Sequence, residues 1–192
     1  NKNKGKTMIL VSQNLLHYMD LPIDTVLRIN LAWVDSLKTL ETLISKINNE
    51  IYIDLPIGRT KPPNNSYLLE DLKFIINKYD NIKYLAISNV ESEENLFNII
   101  QCFGENLIIV PKIESKKGID NIDNIVSFLP NQKIIMLDHD DLFSDLISKG
   151  VSPSNFFSYI KKLEDYCLTN SVTLLKTRGV IFSDEDKINY EK

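Results

Sequence analysis

The segment 107–114, which reads LIIVPKIE, constrains the fold of this chain more than any other. A short, unbroken run of apolar, β-branched residues is typical of a strand that is buried on both faces of a parallel sheet. Pro111 has no backbone N–H to give to a neighbouring strand, so we expect the regular part of the strand to end near it. Side chains alternate along a strand, so Lys112 and Glu114 point to the same face. Two opposite charges at the end of a buried strand indicate a functional site, although a structural ion pair accounts for them equally well.

Seven apolar segments of this kind recur along the chain, and a stretch with helical periodicity follows each of them. The predicted strands are 8–12, 26–33, 50–55, 84–90, 107–114, 133–137 and 172–176. The clearest predicted helices are 36–47, 68–79, 92–103, 118–128 and 153–168. Strict alternation implies a parallel sheet with right-handed crossovers, and a spacing of about 25 residues per unit fits a (β/α) barrel. A doubly wound sheet is the alternative, but no glycine-rich phosphate-binding turn follows the first two strands.

Composition favours one ordinary globular domain, 1–192, with 43% hydrophobic and 25% charged residues. The net charge of −4 and the lack of a basic cluster argue against a nucleic-acid partner. No apolar run is long enough to cross a membrane and no signal peptide is visible, so we expect no membrane partner and a cytoplasmic location. Cys102 and Cys167 are isolated in the sequence, which favours reduced core thiols over a disulfide.

Polar residues fall where the predicted strands end, and barrel enzymes bind their substrates at that end of the sheet. The candidate site residues are Arg28, Asn30, Asp54, Ser88, Lys112, Glu114, Asp141 and Thr177. Glu114 and Asp141 come from neighbouring strands, and two such carboxylates repel unless a hard divalent cation such as Mg²⁺ lies between them. Lys112 and Arg28 would then supply fixed positive charge to an anionic substrate or a developing enolate. A solvated rim of polar groups is the alternative explanation.

His139 follows the sixth predicted strand and lies among Asp138, Asp140 and Asp141. A catalytic base and a metal ligand both fit this pattern. A solvated histidine in a surface turn is the commoner case.

Several segments, in the same order along nearly the whole chain, resemble motifs of the pyruvate kinase family. Lys112-Ile113-Glu114 followed by 118–123 (GIDNID) closely resembles the family's KIE-x-x-x-G-x-x-N-I-D signature. Other segments also resemble motifs of the family: 28–31 resembles R-L-N-F, 53–54 resembles L-D-T-K-G, 70–72 resembles E-D-L, 85–88 resembles F-x-A-x-S, 135–142 resembles I-M-V-A-R-G-D-L-G, and 175–177 resembles C-A-T.

This resemblance implies a TIM-type (β/α) barrel of the pyruvate kinase-like superfamily that acts on phosphoenolpyruvate or pyruvate. It implies that Lys112 stabilises the enolate, that Arg28 contacts a transferred phosphoryl group and that Thr177 assists proton delivery. Glu114 and Asp141 would hold Mg²⁺ or Mn²⁺. The expected substrate-binding residues are Arg28, Asn30, Asp54 and Ser88, and a K⁺ site is expected at Asn30 and Asp54.

The sequence also departs from the family. Ala32 replaces the serine after R-L-N-F, the segment 55–59 (LPIGR) replaces T-K-G-P-E, and Asp140 and Phe143 replace two glycines of the substrate turn. The lid domain that normally follows the third strand is reduced to about ten residues, and water exclusion during phosphoryl transfer is hard to arrange without a lid.

Three functions therefore stay open. The first is Mg²⁺-assisted enolate chemistry on a pyruvate-like acid, including phosphoryl transfer to a nucleotide. The second is a lyase or aldolase similar to citrate-lyase β-subunits and hydroxy-acid aldolases, which need no lid and which the P-K-x-E-S pattern of 111–115 also fits. The third is a non-catalytic relative that acts as a ligand sensor or partner protein.

Only about seven strands are predicted, so the expected barrel is open or incomplete. It would leave two bare strand edges, which soluble proteins avoid. A longer natural chain, a tail folded over the gap, or a second copy that makes a homo-oligomer are three ways to cover them.

Overall fold

Seven parallel strands in chain order form the sheet at the centre of this α/β fold. The computed structural model describes residues 9–12, 25–59 and 62–177, and only the backbone of 9–12. The strands are β1 (Ile9–Ser12), β2 (Thr25–Asn30), β3 (Ile51–Leu55), β4 (Ile82–Ile87), β5 (Ile108–Ile113), β6 (Ile134–Leu137) and β7 (Thr173–Lys176). Every neighbouring pair is parallel, as the alternation of apolar and helical segments predicts.

The predicted TIM-type barrel of the pyruvate kinase-like superfamily is wrong. In the described part of the chain β1 pairs with β2, β7 pairs with β6, and no ladder joins β1 to β7. A barrel closes only when its first and last strands also pair with each other. The sheet is therefore an open half-barrel. The spacing of the βα units did not predict this, because open parallel sheets and barrels repeat the same unit.

Helices connect the strands from β2 to β7. They are α1 (Leu37–Ile44), α2 (Leu69–Lys78), α3 (Phe97–Phe103), α4 (Lys116–Asp120), α5 (Ile122–Phe128), α6 (His139–Ser148) and α7 (Phe156–Thr169). The predicted helix 118–128 is divided in two at Asn121, whose backbone is not helical. None of the described helices is long and apolar enough to cross a membrane.

Short polar side chains cap the starts of α1, α4 and α6. The side chain of Ser36 accepts the backbone N–H of Thr39 at 3.1 Å at the start of α1. Ser115 accepts the N–H of Gly118 at 3.1 Å at the start of α4. These bonds satisfy backbone donors that the first turn of a helix leaves without partners. Because α4 begins directly after β5, its capping residue also lies beside the strand-end charges.

The two faces of the sheet differ in what they bury. The outward residues, such as Ile29 and Ile53, pack with the helices in the main hydrophobic core. The inward residues form a second, smaller apolar cluster of Val26, Tyr52, Ala86, Val110, Ile134 and Met136. Tyr52 is fully buried in it, and its hydroxyl donates to Sδ of Met136 at 3.2 Å. Above this cluster, toward the carboxyl ends of the strands, the inward positions become polar.

Strand β5 ends at Ile113, two residues beyond Pro111, near which its regular part is expected to end. The described ladder between β4 and β5 ends at the pair Ile87–Pro111, and the ladder between β5 and β6 begins at Lys112–Met136. Proline therefore lies where the strand changes partner, the place where a missing N–H disturbs the ladders least. The strand can then carry Lys112 to the mouth of the half-barrel.

Candidate functional site

A polar cavity of about 240 Å³ lies at the carboxyl ends of the strands. Six of the eight site residues predicted from the sequence line it: Asn30, Asp54, Ser88, Lys112, Glu114 and Asp141. Of the other two, Arg28 bonds to the cavity residue Asp54, whereas Thr177 bonds to His139 and neither of these two residues lines the cavity. The structure thus brings seven of the eight predicted residues together, while their catalytic roles stay predictions.

Lys112 is the centre of the site. Its Nζ lies 2.7 Å from Oε1 of Glu114, 3.6 Å from Oδ2 of Asp54 and 4.0 Å from Oδ2 of Asp138. It also donates to Oγ of Ser88 at 3.3 Å. Burial alone would lower the pKa of Lys112, but the carboxylates of Asp54 and Glu114 outweigh burial and raise that pKa above its ordinary value. The side chain is therefore a fixed ammonium at neutral pH.

Asp54 joins Lys112 to Arg28. The Nε of Arg28 donates to Oδ2 of Asp54 at 3.0 Å, and Nη2 bonds the same oxygen. Burial acts to lower the pKa of Arg28, and Asp54 more than compensates, so the pKa is raised. The predicted contact of Arg28 with a phosphoryl group stays a prediction, but much of this guanidinium is already engaged by a carboxylate.

Glu114 is held on both sides. Its Oε1 accepts from Lys112, and its Oε2 accepts the backbone N–H of Asn89 at 2.6 Å. Burial raises the pKa of Glu114, which Lys112 offsets only in part. Asn89 follows β4 in the left-handed conformation, with φ of 55°, and its side chain donates to the carbonyl of Ile57 at 2.6 Å. Asn89 therefore connects the end of β5 to the segment after β3.

Glu114, Asp138 and Asp141 form a carboxylate triad that could hold a metal ion. Each offers one oxygen, and the three oxygens lie within 4.8 Å of one another. Oxygens bound to one Mg²⁺ at about 2.1 Å are at most about 4.2 Å apart, so small side-chain movements complete the fit. Hard carboxylate oxygens are also the ligand type that Mg²⁺ and Mn²⁺ prefer. The donor set therefore fits the predicted cation.

Sequence reasoning missed Asp138 as a member of this triad. Asp138 directly follows β6 and caps α6, where its Oδ1 accepts the N–H of Asp141 at 3.4 Å. The sequence does indicate its position, because Asp138 comes two residues after Met136 and four after Ile134. Side chains alternate along a strand, so all three point to the inner face of the sheet.

Thr177 lies just after β7, beside His139. Its Oγ1 is 3.3 Å from Nδ1 of His139, and its hydroxyl donates to the carbonyl of Leu137 at 3.4 Å. His139 is the half-buried first residue of α6 rather than a solvated residue in a turn. Burial lowers the pKa of His139, and Asp138 opposes that effect. The neutral imidazole is therefore favoured at neutral pH.

Other cavity-lining residues were not predicted as site residues. Arg59 follows β3, and its Nε donates to the carbonyl of Pro63 at 2.7 Å. Asp145 lies on α6, where Lys149 pairs with it at 2.8 Å. The sequence marks 56–66 as a loop, but nothing in its composition identifies Arg59 as a residue of the cavity.

The predicted K⁺ site at Asn30 and Asp54 stays a prediction. Oδ1 of Asn30 accepts the N–H of Ala32 at 3.0 Å, and Asp54 faces two cationic side chains. These contacts use oxygens that a potassium ion would need.

No protein-family model matches the chain, and no curated protein matches it either. Among solved structures, the crystal structure of RipC from Yersinia pestis is similar, with a TM-score of 0.60 and 17% sequence identity. The similarity covers 86% of this chain and 75% of RipC. It shows the fold alone. The resemblance to pyruvate kinase motifs therefore stays a hypothesis about this chain.

Proposed function

We propose that this protein is an enzyme that stabilises the enolate of a small pyruvate-like 2-oxo acid, with Lys112 and a divalent cation at the carboxylate triad. The observation that carries the proposal is the position of the Lys112 ammonium. It is buried within 4.0 Å of carboxylates from three different strand ends, at the wall of a cavity large enough for such an acid. An ion pair that served only to stabilise the fold would need one carboxylate beside Lys112 rather than three.

The charges of the site support a divalent cation. Asp54 and the carboxylate triad carry four negative charges, whereas Arg28 and Lys112 carry two positive charges. Carboxylates this close together repel one another, so a doubly charged cation would balance the cluster. Without such a cation, an anionic substrate would meet a negatively charged site.

Each group then has a role. The bound cation, Mg²⁺ or Mn²⁺, would act as a Lewis acid that stabilises negative charge on the substrate oxygens. Lys112 is the preorganised ammonium for the developing enolate, because its raised pKa keeps it protonated and unsuited to act as a base or to form a Schiff base. Thr177 is the candidate for proton delivery, and His139 is its hydrogen-bonding partner.

Lyase or aldolase chemistry fits these groups better than phosphoryl transfer. Enolate formation needs only the cation, the ammonium and a proton donor. Transfer to a nucleotide also needs positive charge for several phosphates, and Asp54 already engages Arg28. Phosphoryl transfer is the second candidate, and the pyruvate kinase-like motifs in the sequence favour it.

Proton exchange tests the proposal. We would incubate the protein with pyruvate and MgCl₂ or MnCl₂ in D₂O, follow the methyl protons by NMR, and repeat the experiment with Lys112→Met. Exchange that this variant loses supports enolate chemistry. The matched control is Lys116→Ala, because that lysine is exposed and pairs with Asp120 outside the cavity, so exchange should persist. No exchange by the native protein with either metal would contradict the proposal and favour the non-catalytic relative.

A coupled assay separates the two reaction classes. If the native protein exchanges pyruvate protons but makes no ATP from phosphoenolpyruvate and ADP, the result favours an enzyme of the lyase or aldolase type. ATP formation would favour the phosphoryl-transfer candidate.

A further inference from the structure

We propose that Arg59 binds a second anionic group of the substrate, so that the site selects small acids with two anionic groups over pyruvate. The inference rests on the proposed function, because it takes the same cavity as the substrate site. Arg59 lines that cavity together with Lys112 and Glu114. It comes from the segment after β3, so it reaches the cavity from outside the cluster of strand-end charges.

Arg59 differs from Lys112 in its partners. Its Nε donates to the carbonyl of Pro63, and its terminal nitrogens bond to none of the residues that the structure describes. Lys112, in contrast, lies within 4.0 Å of three carboxylates. A guanidinium whose terminal N–H groups are available binds a carboxylate or phosphoryl group through two parallel hydrogen bonds.

Two further cavity-lining carboxylates do not compete for Arg59, because each already has a cation. Asp145 pairs with Lys149 at 2.8 Å. Glu91 pairs with Lys117 at 3.3 Å. Once a divalent cation balances Asp54 and the carboxylate triad, the positive charge of Arg59 has no counterpart in the described part of the site. An anionic group of the substrate that reaches Arg59 would supply that counterpart.

The size of the cavity agrees with a longer acid. Its volume of about 240 Å³ leaves room beside a bound cation for a molecule longer than pyruvate. A carboxylate at one end would meet the cation and Lys112, and the second anionic group would meet Arg59.

Binding measurements test this inference without requiring turnover. We would titrate pyruvate, 2-oxoglutarate and phosphoenolpyruvate into the native protein in MgCl₂ by calorimetry, and repeat the titrations with Arg59→Ala and Arg59→Lys. The native protein should bind one of the two larger anions about tenfold or more tightly than pyruvate. Arg59→Ala should remove that preference and leave pyruvate binding unchanged, while Arg59→Lys should keep part of it. Lys46→Ala, which removes an exposed cation at the other end of the strands, should change nothing.

The outcomes separate the inference from the proposed function. A preference for 2-oxoglutarate would identify the second anion as a carboxylate, and a preference for phosphoenolpyruvate would identify it as phosphoryl. Equal binding of all three acids, or equal weakening of all three by Arg59→Ala, would overturn the inference even where pyruvate protons exchange. A preference that depends on Arg59 without any proton exchange would support the anion site and contradict the enolate function.

Discussion

The ammonium of Lys112 lies 2.7 Å from Oε1 of Glu114, two residues further along the chain. Alternation of side chains puts both on the inner face of the sheet. Asp54, at the end of β3, adds a second carboxylate 3.6 Å from the same nitrogen. All three side chains are at most 6% exposed, so Lys112 compensates negative charge that is largely shielded from bulk water.

Replacing Lys112 with methionine should lower the free energy of unfolding by about 3–5 kcal/mol, because it leaves buried carboxylates with less compensation. Chemical denaturation measures the loss. The double variant Lys112→Met/Glu114→Gln should be less destabilised than the sum of the two single variants, since the second change removes the charge that the first exposes. A loss below about 1 kcal/mol in Lys112→Met would show that the pair is solvated rather than buried.

Removing one oxygen ligand from the carboxylate triad should weaken divalent-cation binding. We expect Asp138→Asn to weaken Mn²⁺ affinity by about tenfold or more, as measured by electron paramagnetic resonance of free Mn²⁺. Asparagine still caps a helix well, so α6 and the fold should persist. Asp140→Asn is the matched control, because Asp140 is the exposed neighbour outside the triad. Equal affinities of the two variants would contradict a metal site at the triad.

Much of the site could be predicted from the alternation of side chains along strands. Lys112 and Glu114 share a face because two residues separate them. Asp54 and Ser88 reach the same cavity because parallel strands end at the same edge of the sheet. Asp138 obeys the same rule, although the predicted site takes Asp141 as the carboxylate that follows the sixth strand.

The spacing of the βα units could not decide whether the sheet closes, since closure depends on pairing between β1 and β7, which are far apart in the sequence. Only the count of about seven strands indicated an open or incomplete barrel. The sequence also did not predict that 139–148 is a helix, because the three acidic residues around His139 favour a surface turn. In the structure Asp138 caps α6, and acidic residues in a first turn stabilise a helix. Arg59 could not be assigned because a loop composition does not indicate which side chain turns toward a cavity.

Asn89 should be sensitive to substitution because its backbone is left-handed, with φ of 55°. We expect Asn89→Ala to lower the free energy of unfolding by about 1–2 kcal/mol, because alanine tolerates that conformation poorly and loses the bond to Ile57. Asn89→Gly should cost clearly less, since glycine adopts the conformation freely. Thermal denaturation of both variants separates backbone strain from the lost hydrogen bond. If glycine costs as much as alanine, the side-chain bond dominates and the strain argument is wrong.

Cys167 should make the protein less stable in alkali. Both cysteines are free, as their isolation in the sequence predicts, and Cys167 is buried. Burial, with a contribution from Glu164, raises the pKa of Cys167 to about 11. The folded state therefore holds the thiol proton more tightly than the unfolded state does. This stabilising contribution is complete below the ordinary pKa of a thiol, near 9, and is lost as the pH rises toward about 11.

Two measurements check this prediction. Stability measured between pH 8 and 11 should fall more steeply for the native protein than for Cys167→Ala, which has no thiol there to titrate. At pH 8 in native conditions, iodoacetamide should modify the partly exposed Cys102 well before Cys167, because alkylation requires an accessible thiolate. Modification of both thiols at the same rate would mean that α7 opens readily, and the alkaline loss would then have another cause.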